Sequence, residues 1–397
     1  MAACKIVIVG GVAGGATAAA RARRLSASAG IVVFERSPHV SFANCGLPYH
    51  IGEAIQRRDA LLLQTPERLH RRYNLDIRVR TEVRSIDRER KQVLAVDLAA
   101  GREYAESYDK LLLATGAAPI RPPLPGIDHP RVFSLRNVPD TDAIKAAVDA
   151  GAGRAVIVGG GFIGLEMAEN LRRRGLEVHL VEMLSQVMPP LDREMAEPIH
   201  DVLRRNGIRL HLGNRVQSLS DAGGHVTAVL ESGASLAADL VILAIGVRPE
   251  SELAEAAGLE LGERGGIRVN ARMQTSDPDI YAVGDAVLVT DVVTRAPALI
   301  PLAGGEHGRH GGVEAEFLDT VPDPLDRLVH AAIEVATAGS RAALWRAGQR
   351  DVQRAHDGDD LVIGDALGQL ADERRDVLAL HRRQLLEKEH VVAGPQH

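Results

Sequence analysis

The chain opens on a run in which polar and apolar positions do not alternate. Residues 5–9, Lys-Ile-Val-Ile-Val, are apolar almost throughout, the pattern of a parallel strand buried on both faces. The turn Gly10-Gly11-Val12-Ala13-Gly14-Gly15 follows at once. An alanine-rich stretch to Leu25, carrying Arg21, Arg23 and Arg24, then predicts a helix. Residues 31–34 predict the next strand, which Glu35 ends. The same order returns later: the apolar run Ala155-Val156-Ile157-Val158, the turn Gly159-Gly160-Gly161-Phe162-Ile163-Gly164, a helix to about Arg174, and a strand from Glu177 to Val181 that ends at Glu182. Between the two repeats, residues 76–80 and 83–97 read as strands and turns. Leu111-Leu112-Leu113-Ala114-Thr115-Gly116 reads as an apolar strand ending in small residues. Pro119, Pro122, Pro123 and Pro125 make a stiff segment, taken as a domain boundary. Residues 239–245 predict a strand running into Gly246. Residues 275–286 predict a short apolar strand that delivers Asp285 beside Gly284.

Strand, glycine turn, helix, strand and terminal acid make a dinucleotide-binding unit. The turn brings main-chain N–H groups and a helix N-terminus to a pyrophosphate, and the acid accepts from ribose hydroxyls. The second turn is a complete G-x-G-x-x-G, at Gly159, Gly161 and Gly164; in the first, Val12 stands at the middle glycine. Glu182 suits a 2′-hydroxyl and repels a 2′-phosphate, so NADH is favoured and NADPH is the alternative. Arg172, Arg173 and Arg174 come too early to bind that phosphate and read as a solvated helix face. The chain therefore reads as α/β, with two βαβ nucleotide-binding units.

Between the first unit and the proline segment lies Ser41-Phe42-Ala43-Asn44-Cys45-Gly46-Leu47-Pro48-Tyr49. Cys45 has no second cysteine four or five residues on, so it is not half of an intrachain dithiol. A lone thiol here can attack a disulfide and hold half of it as a mixed disulfide, with the thiolate as the reactive form. Composition narrows the picture further. Cys4 and Cys45 are the only cysteines among 397 residues, which fits a reducing, cytoplasmic setting and not a disulfide framework. The net charge of −6 gives no footing for nucleic acid, and no apolar run is long enough to span a bilayer. No histidine spacing suggests a metal site.

Together these segments resemble the FAD-dependent pyridine nucleotide-disulfide oxidoreductases, and within them the coenzyme A-disulfide reductases. The likeness rests on the Gly10 to Gly15 turn, Ser41 to Tyr49, Ala114-Thr115-Gly116, Gly159 to Gly164, Thr275 to Ala286 and Ala296 to Gly304. It implies two Rossmann-like three-layer domains in a glutathione-reductase-like arrangement. The FAD domain would be split between 1–120 and 248–304, and the NAD domain would occupy 121–247. It also implies that Gly10, Val12, Ala13, Gly14, Gly15, Glu35, Arg36, Ala114, Thr115, Gly116, Gly246, Gly284 and Asp285 surround FAD. Gly159, Gly161, Phe162, Ile163, Gly164 and Glu182 would surround NADH, and Cys45 would face the flavin. Arg24, Ser41 and Asn44 would help bind a disulfide or persulfide of coenzyme A. Similar peroxidases and oxidases carry a histidine at the place of Ala13, so alanine there points to disulfide or persulfide chemistry. A homodimer is expected from the same resemblance.

The likeness stops after Gly304. Residues 305–397 contain no tyrosine, one lysine (Lys388), one phenylalanine (Phe317) and one tryptophan (Trp345). This tail reads as irregular with some helix, around 372–391, and not as the family's dimerisation domain.

Overall fold

The computed structural model describes residues 4–291 and 296–299. The expectations for 305–397 lie outside the described residues. Within them the chain forms two units. One runs from the N-terminus to Pro123 and adds Phe133–Ala150 and the chain from Leu243 on; the other joins Leu124–Val132 to Gly151–Ile242.

The first unit is built on a five-stranded sheet in the order Ile280–Ala282, Lys110–Leu113, Lys5–Val9, Gly30–Glu35, Asp76–Val79. All its pairings are parallel, with Val7 level with Val32 on one side and Leu111 on the other. Val7, Val33 and Leu111 are wholly buried. Covering on both faces is why these strands carry unbroken apolar runs. A three-stranded antiparallel meander, Thr81–Asp87, Gln92–Asp97 and Arg102–Ser107, completes the unit with smaller pieces. Among these, Ala117–Pro119 pairs with Val247–Pro249, so the first proline of the stiff segment, Pro119, belongs to a strand.

The inserted domain expected at 121–247 is not continuous by contact, because Phe133–Ala150 groups with the first unit. Its helix, Val138–Asp149, starts in a capping box in which Asn137 and Asp140 satisfy each other's main-chain N–H groups. Arg58 grips Asp142 through both guanidinium arms at 2.7 and 2.6 Å, and Lys145 reaches Glu53 at 3.1 Å.

The second unit repeats the plan. Its main sheet runs Ile208–Leu212, Glu177–Glu182, Arg154–Val158, Leu240–Leu243, and the edge strand Val132–Ser134 joins it from Val132, the last residue of Leu124–Val132. Its own meander is Val216–Asp221, Val226–Leu230 and Ser235–Ala238. Asp239 fastens sheet to meander. It accepts from Gly153 N–H at 2.8 Å, Arg154 N–H at 2.9 Å and His225 Nδ1 at 2.6 Å. Burial pushes its pKa up, but these donors and the Arg154 guanidinium outweigh it and hold the pKa at about 2. A depressed carboxylate stabilises the fold above its unfolded pKa, near 4, and that stability is lost as pH falls through about 2. Asp239→Asn is therefore expected to cost about 2 kcal/mol at neutral pH. It should also flatten the acid limb of a pH–stability curve between about pH 4 and 2, measured by urea unfolding.

Among the described residues no helix is long and apolar enough to cross a membrane, and no cluster of histidine, cysteine and acidic residues could hold a metal ion.

Candidate active site

Both glycine turns sit at the C-terminal ends of their parallel strands, and they share one set of hydrogen bonds. Gly10 N–H donates to Phe34 O and Gly159 N–H to Val181 O, both at 2.8 Å. Glu35 accepts from Gly11 N–H and Ser37 N–H, each at 2.8 Å. Glu182 accepts from Gly160 N–H at 2.6 Å and Leu184 N–H at 2.8 Å. Each glutamate is buried at the end of its strand, with one oxygen on the turn and one on the chain two residues ahead. A carboxylate has about four acceptor sites, so each keeps capacity for hydroxyl donors.

The glycines differ in why they must be glycine. Gly10 has φ +101, and a Cβ there would lie 2.1 Å from Ala114 O. A Cβ on Gly15 would lie 1.8 Å from Gly10 O. Gly159 has φ 110. A Cβ on Gly161, with φ −81, would meet nothing within 4 Å. Phe162, next to it, is 59% exposed, and Ile163 and Gly164 continue into the helix.

Cys45 is exposed, in a single 3₁₀ turn Asn44–Gly46 that leads into the short helix Leu47–Ile51. The chain reaches this turn through Ser41, which adopts a left-handed φ of 46. A non-glycine residue held there is strained. Ser41 N–H donates to Gly11 O at 3.0 Å, and Ala43 N–H to Leu61 O at 2.9 Å. The cysteine turn is thus hydrogen-bonded directly to the first glycine turn. Asn44 is exposed beside Cys45, Ala13 is exposed at the helix start, and Arg24 is exposed in the last turn of Ala13–Leu25.

Residues 4–306 match the family model for pyridine nucleotide-disulphide oxidoreductases. The chain belongs to this family. A coenzyme A disulfide reductase of Staphylococcus aureus is 36% identical over 313 residues, covering 79% of this chain and 70% of the relative. An NADH oxidase of Methanocaldococcus jannaschii is 38% identical over 333 residues, covering 82% and 74%. The reduced CoADR-RHD of Bacillus anthracis is a solved structure with 47% identity and a TM-score of 0.76. It covers 85% of this chain, which spans only 57% of its length.

Members of this pyridine nucleotide-disulphide oxidoreductase family use FAD and a nicotinamide nucleotide, and the residues present fit both. Asp285 is half-buried in the turn Gly284–Ala286. Burial raises its pKa against the pull of Arg136, and among the described residues it accepts no hydrogen bond. Such a carboxyl suits sugar hydroxyl donors. Space beside Gly161, and the room left on Glu35 and Glu182, fit a nucleotide at each turn.

Of the other expected residues, Arg36, Thr115 and Gly116 fall into one ion-paired clasp within the first unit. Arg36 donates to Glu250 at 2.9 Å, and Arg136 grips Glu250 with both arms at 2.8 Å. Burial pushes Glu250 up, but Arg136 and Arg36 bring it below its ordinary value. Thr115 Oγ1 donates to Glu250 O at 2.6 Å, Glu250 N–H to Gly116 O at 2.9 Å, and Arg136 to Thr115 O at 3.2 Å. Ala114 N–H donates to Val9 O at 2.7 Å and Ile120 N–H to Gly246 O at 3.0 Å. Sequence reasoning missed Arg136 and Glu250. Neither lies in a motif, and they meet only because Phe133–Ala150 joins the first unit. It also missed Glu166, in the helix after the second turn, whose pKa rises to about 7 through burial and the charge of Glu169. Spacing alone does not reveal a buried carboxyl.

Proposed function

We propose that this chain is an NADH-dependent, FAD-containing reductase of coenzyme A disulfide. The observation that carries the reading is the hydrogen bond from Ser41 to Gly11, which ties the turn bearing exposed Cys45 to the first glycine turn. FAD, recharged by the nicotinamide, supplies the electron pair when bound. The Cys45 thiolate attacks one sulfur of the disulfide, the S–S bond breaks, and one coenzyme A leaves as its thiolate and takes a proton from water. The other half remains on Cys45 as a mixed disulfide. Two electrons, once supplied, would break that S–S bond, leaving Cys45 as its thiolate and releasing the second coenzyme A as a thiolate that takes a proton from water. The second sulfur has to come from the substrate. Cys4 precedes the strand Lys5–Val9, on the order of 17 Å of extended chain from the turn that Ser41 contacts.

In this reading the FAD domain is 1–120 with 248–304, and the NAD domain is 121–247. Exposed Arg24 pairs with coenzyme A phosphates, for which a guanidinium fork is suited, and Ser41 and Asn44 flank the thiol. Ala13 brings no acid–base group, and thiol leaving groups do not require one. The family homodimer and a cytoplasmic setting belong to the same reading. A persulfide of coenzyme A would use the same Cys45. Oxygen reduction is the alternative suggested by the relative named as an NADH oxidase.

Steady-state oxidation of NADH with coenzyme A disulfide, coenzyme A persulfide or oxygen as acceptor separates the three. The reading predicts the highest kcat/KM for the disulfide. Oxygen uptake at the same rate without disulfide would overturn it. Glu182→Gln sets an amide NH2 against one of the two main-chain N–H groups that the carboxylate accepts from, Gly160 or Leu184, and removes an acceptor from the hydroxyl. The expected result is a KM for NADH raised about tenfold with kcat little changed.

A further inference from the structure

We infer that His50 is a positioning residue that latches residues 53–57 over the Cys45 turn and so sets which sulfur compounds reach the thiol. The inference rests on Cys45 being the reacting group proposed above. His50 is 3% exposed, in the helix that follows the cysteine. A carbonyl can only accept, so its Nδ1 carries the hydrogen it donates to Ile55 O at 2.7 Å. Ile55 N–H returns to Tyr49 O at 3.0 Å. Ile55 is the one half-buried residue in the exposed run 53–60. Its Cδ1 packs on the cysteine turn, 3.1 Å from where a Cβ on Gly46 would lie, and Leu61 Cδ2 is equally close. Gly46 is therefore the seat on which the segment rests. The segment is also tied by Lys145 to Glu53, 54% exposed at Glu53 and so weak, and by Glu53 N–H to His50 O at 3.2 Å. The part-buried hydrogen bond from His50 adds a side-chain tie to the main-chain bond between Ile55 and Tyr49, and together they hold Ile55 on Gly46. Because Cys45 is itself exposed, the latch governs bulky reagents and not small ones.

The test is the labelling rate of Cys45 in the full reduced chain, read by peptide mass so that Cys4 is separate, with iodoacetamide as the small reagent and a fluorescein maleimide as the bulky one. In His50→Leu the bulky rate is expected to rise about threefold to tenfold, the range for one lost hydrogen bond, while the small rate is unchanged. In His50→Asn, whose Nδ2 stands where the ring Nδ1 stood, both rates should match the parent. Equal change in both rates, no change in either, or His50→Asn behaving as His50→Leu would overturn the latch. If His50→Leu does not fold, Ile55→Ala, which removes the packing on Gly46 and keeps the main chain, must raise the bulky rate alone. These rates need neither NADH nor a disulfide. A parent protein that fails to reduce coenzyme A disulfide would sink the proposed activity without touching this result.

Discussion

Cys45→Ser is expected to keep the fold and the flavin and to lose disulfide reduction by on the order of 10³ or more. The hydroxyl that replaces the thiol is a poor nucleophile at neutral pH and cannot form a mixed disulfide. Cys45 is exposed, and the turn around it is held by main-chain bonds from Ser41, Ala43 and Gly46. The substitution therefore removes one sulfur and leaves the scaffold. Steady-state assay with coenzyme A disulfide, beside thermal unfolding of the same preparation, checks both halves. Retained turnover in the serine variant would move the reacting group elsewhere.

Gly15→Ala is expected to be strongly damaging to the first unit. The new Cβ would lie 1.8 Å from Gly10 O, 2.9 Å from Gly10 C and 3.1 Å from Ile8 Cγ2. None of these is the movable end of a flexible side chain except the last. The turn must open, which should cost about 3 kcal/mol or more, and a fall in Tm on the order of 10 °C. Flavin content should fall with it, since the opened turn no longer presents its N–H groups to a pyrophosphate. Gly161→Ala in the second turn is the matching control. Its φ is ordinary and its Cβ meets open space. Stability should change by no more than about 1 kcal/mol, while, with the nucleotide seated at this turn as proposed, the methyl is expected to weaken NADH binding. Thermal unfolding and flavin absorbance of the two variants side by side give the comparison.

These two glycines mark how far the sequence could be read. The repeated order of apolar run, glycine turn, helix and terminal glutamate was legible because each part is local. The strands Lys5–Val9, Gly30–Glu35, Arg154–Val158 and Glu177–Glu182 lie where their composition places them. The reason for each glycine was not legible. Gly15 is excluded by the carbonyl of Gly10, five residues back, and Gly161 by nothing in the chain itself. The left-handed Ser41 was hidden too, since serine carries no sign of positive φ as glycine does. The clasp of Arg36, Arg136 and Glu250 joins three segments far apart in sequence, and no periodicity signals such a pairing. The same holds for Arg58 with Asp142, which binds Val138–Asp149 to the first unit. Charge pairs between distant segments are choices of tertiary packing, and a pattern of apolar positions records only which faces are buried.

The central claim is that one thiol, Cys45, works against a flavin held by the first glycine turn. Anaerobic titration of the purified protein with NADH, followed by absorbance, tests it most directly. The account predicts bound flavin and, on reduction, a long-wavelength charge-transfer band that is absent from Cys45→Ser. Flavin that bleaches without such a band, identically in the parent and in Cys45→Ser, would contradict it.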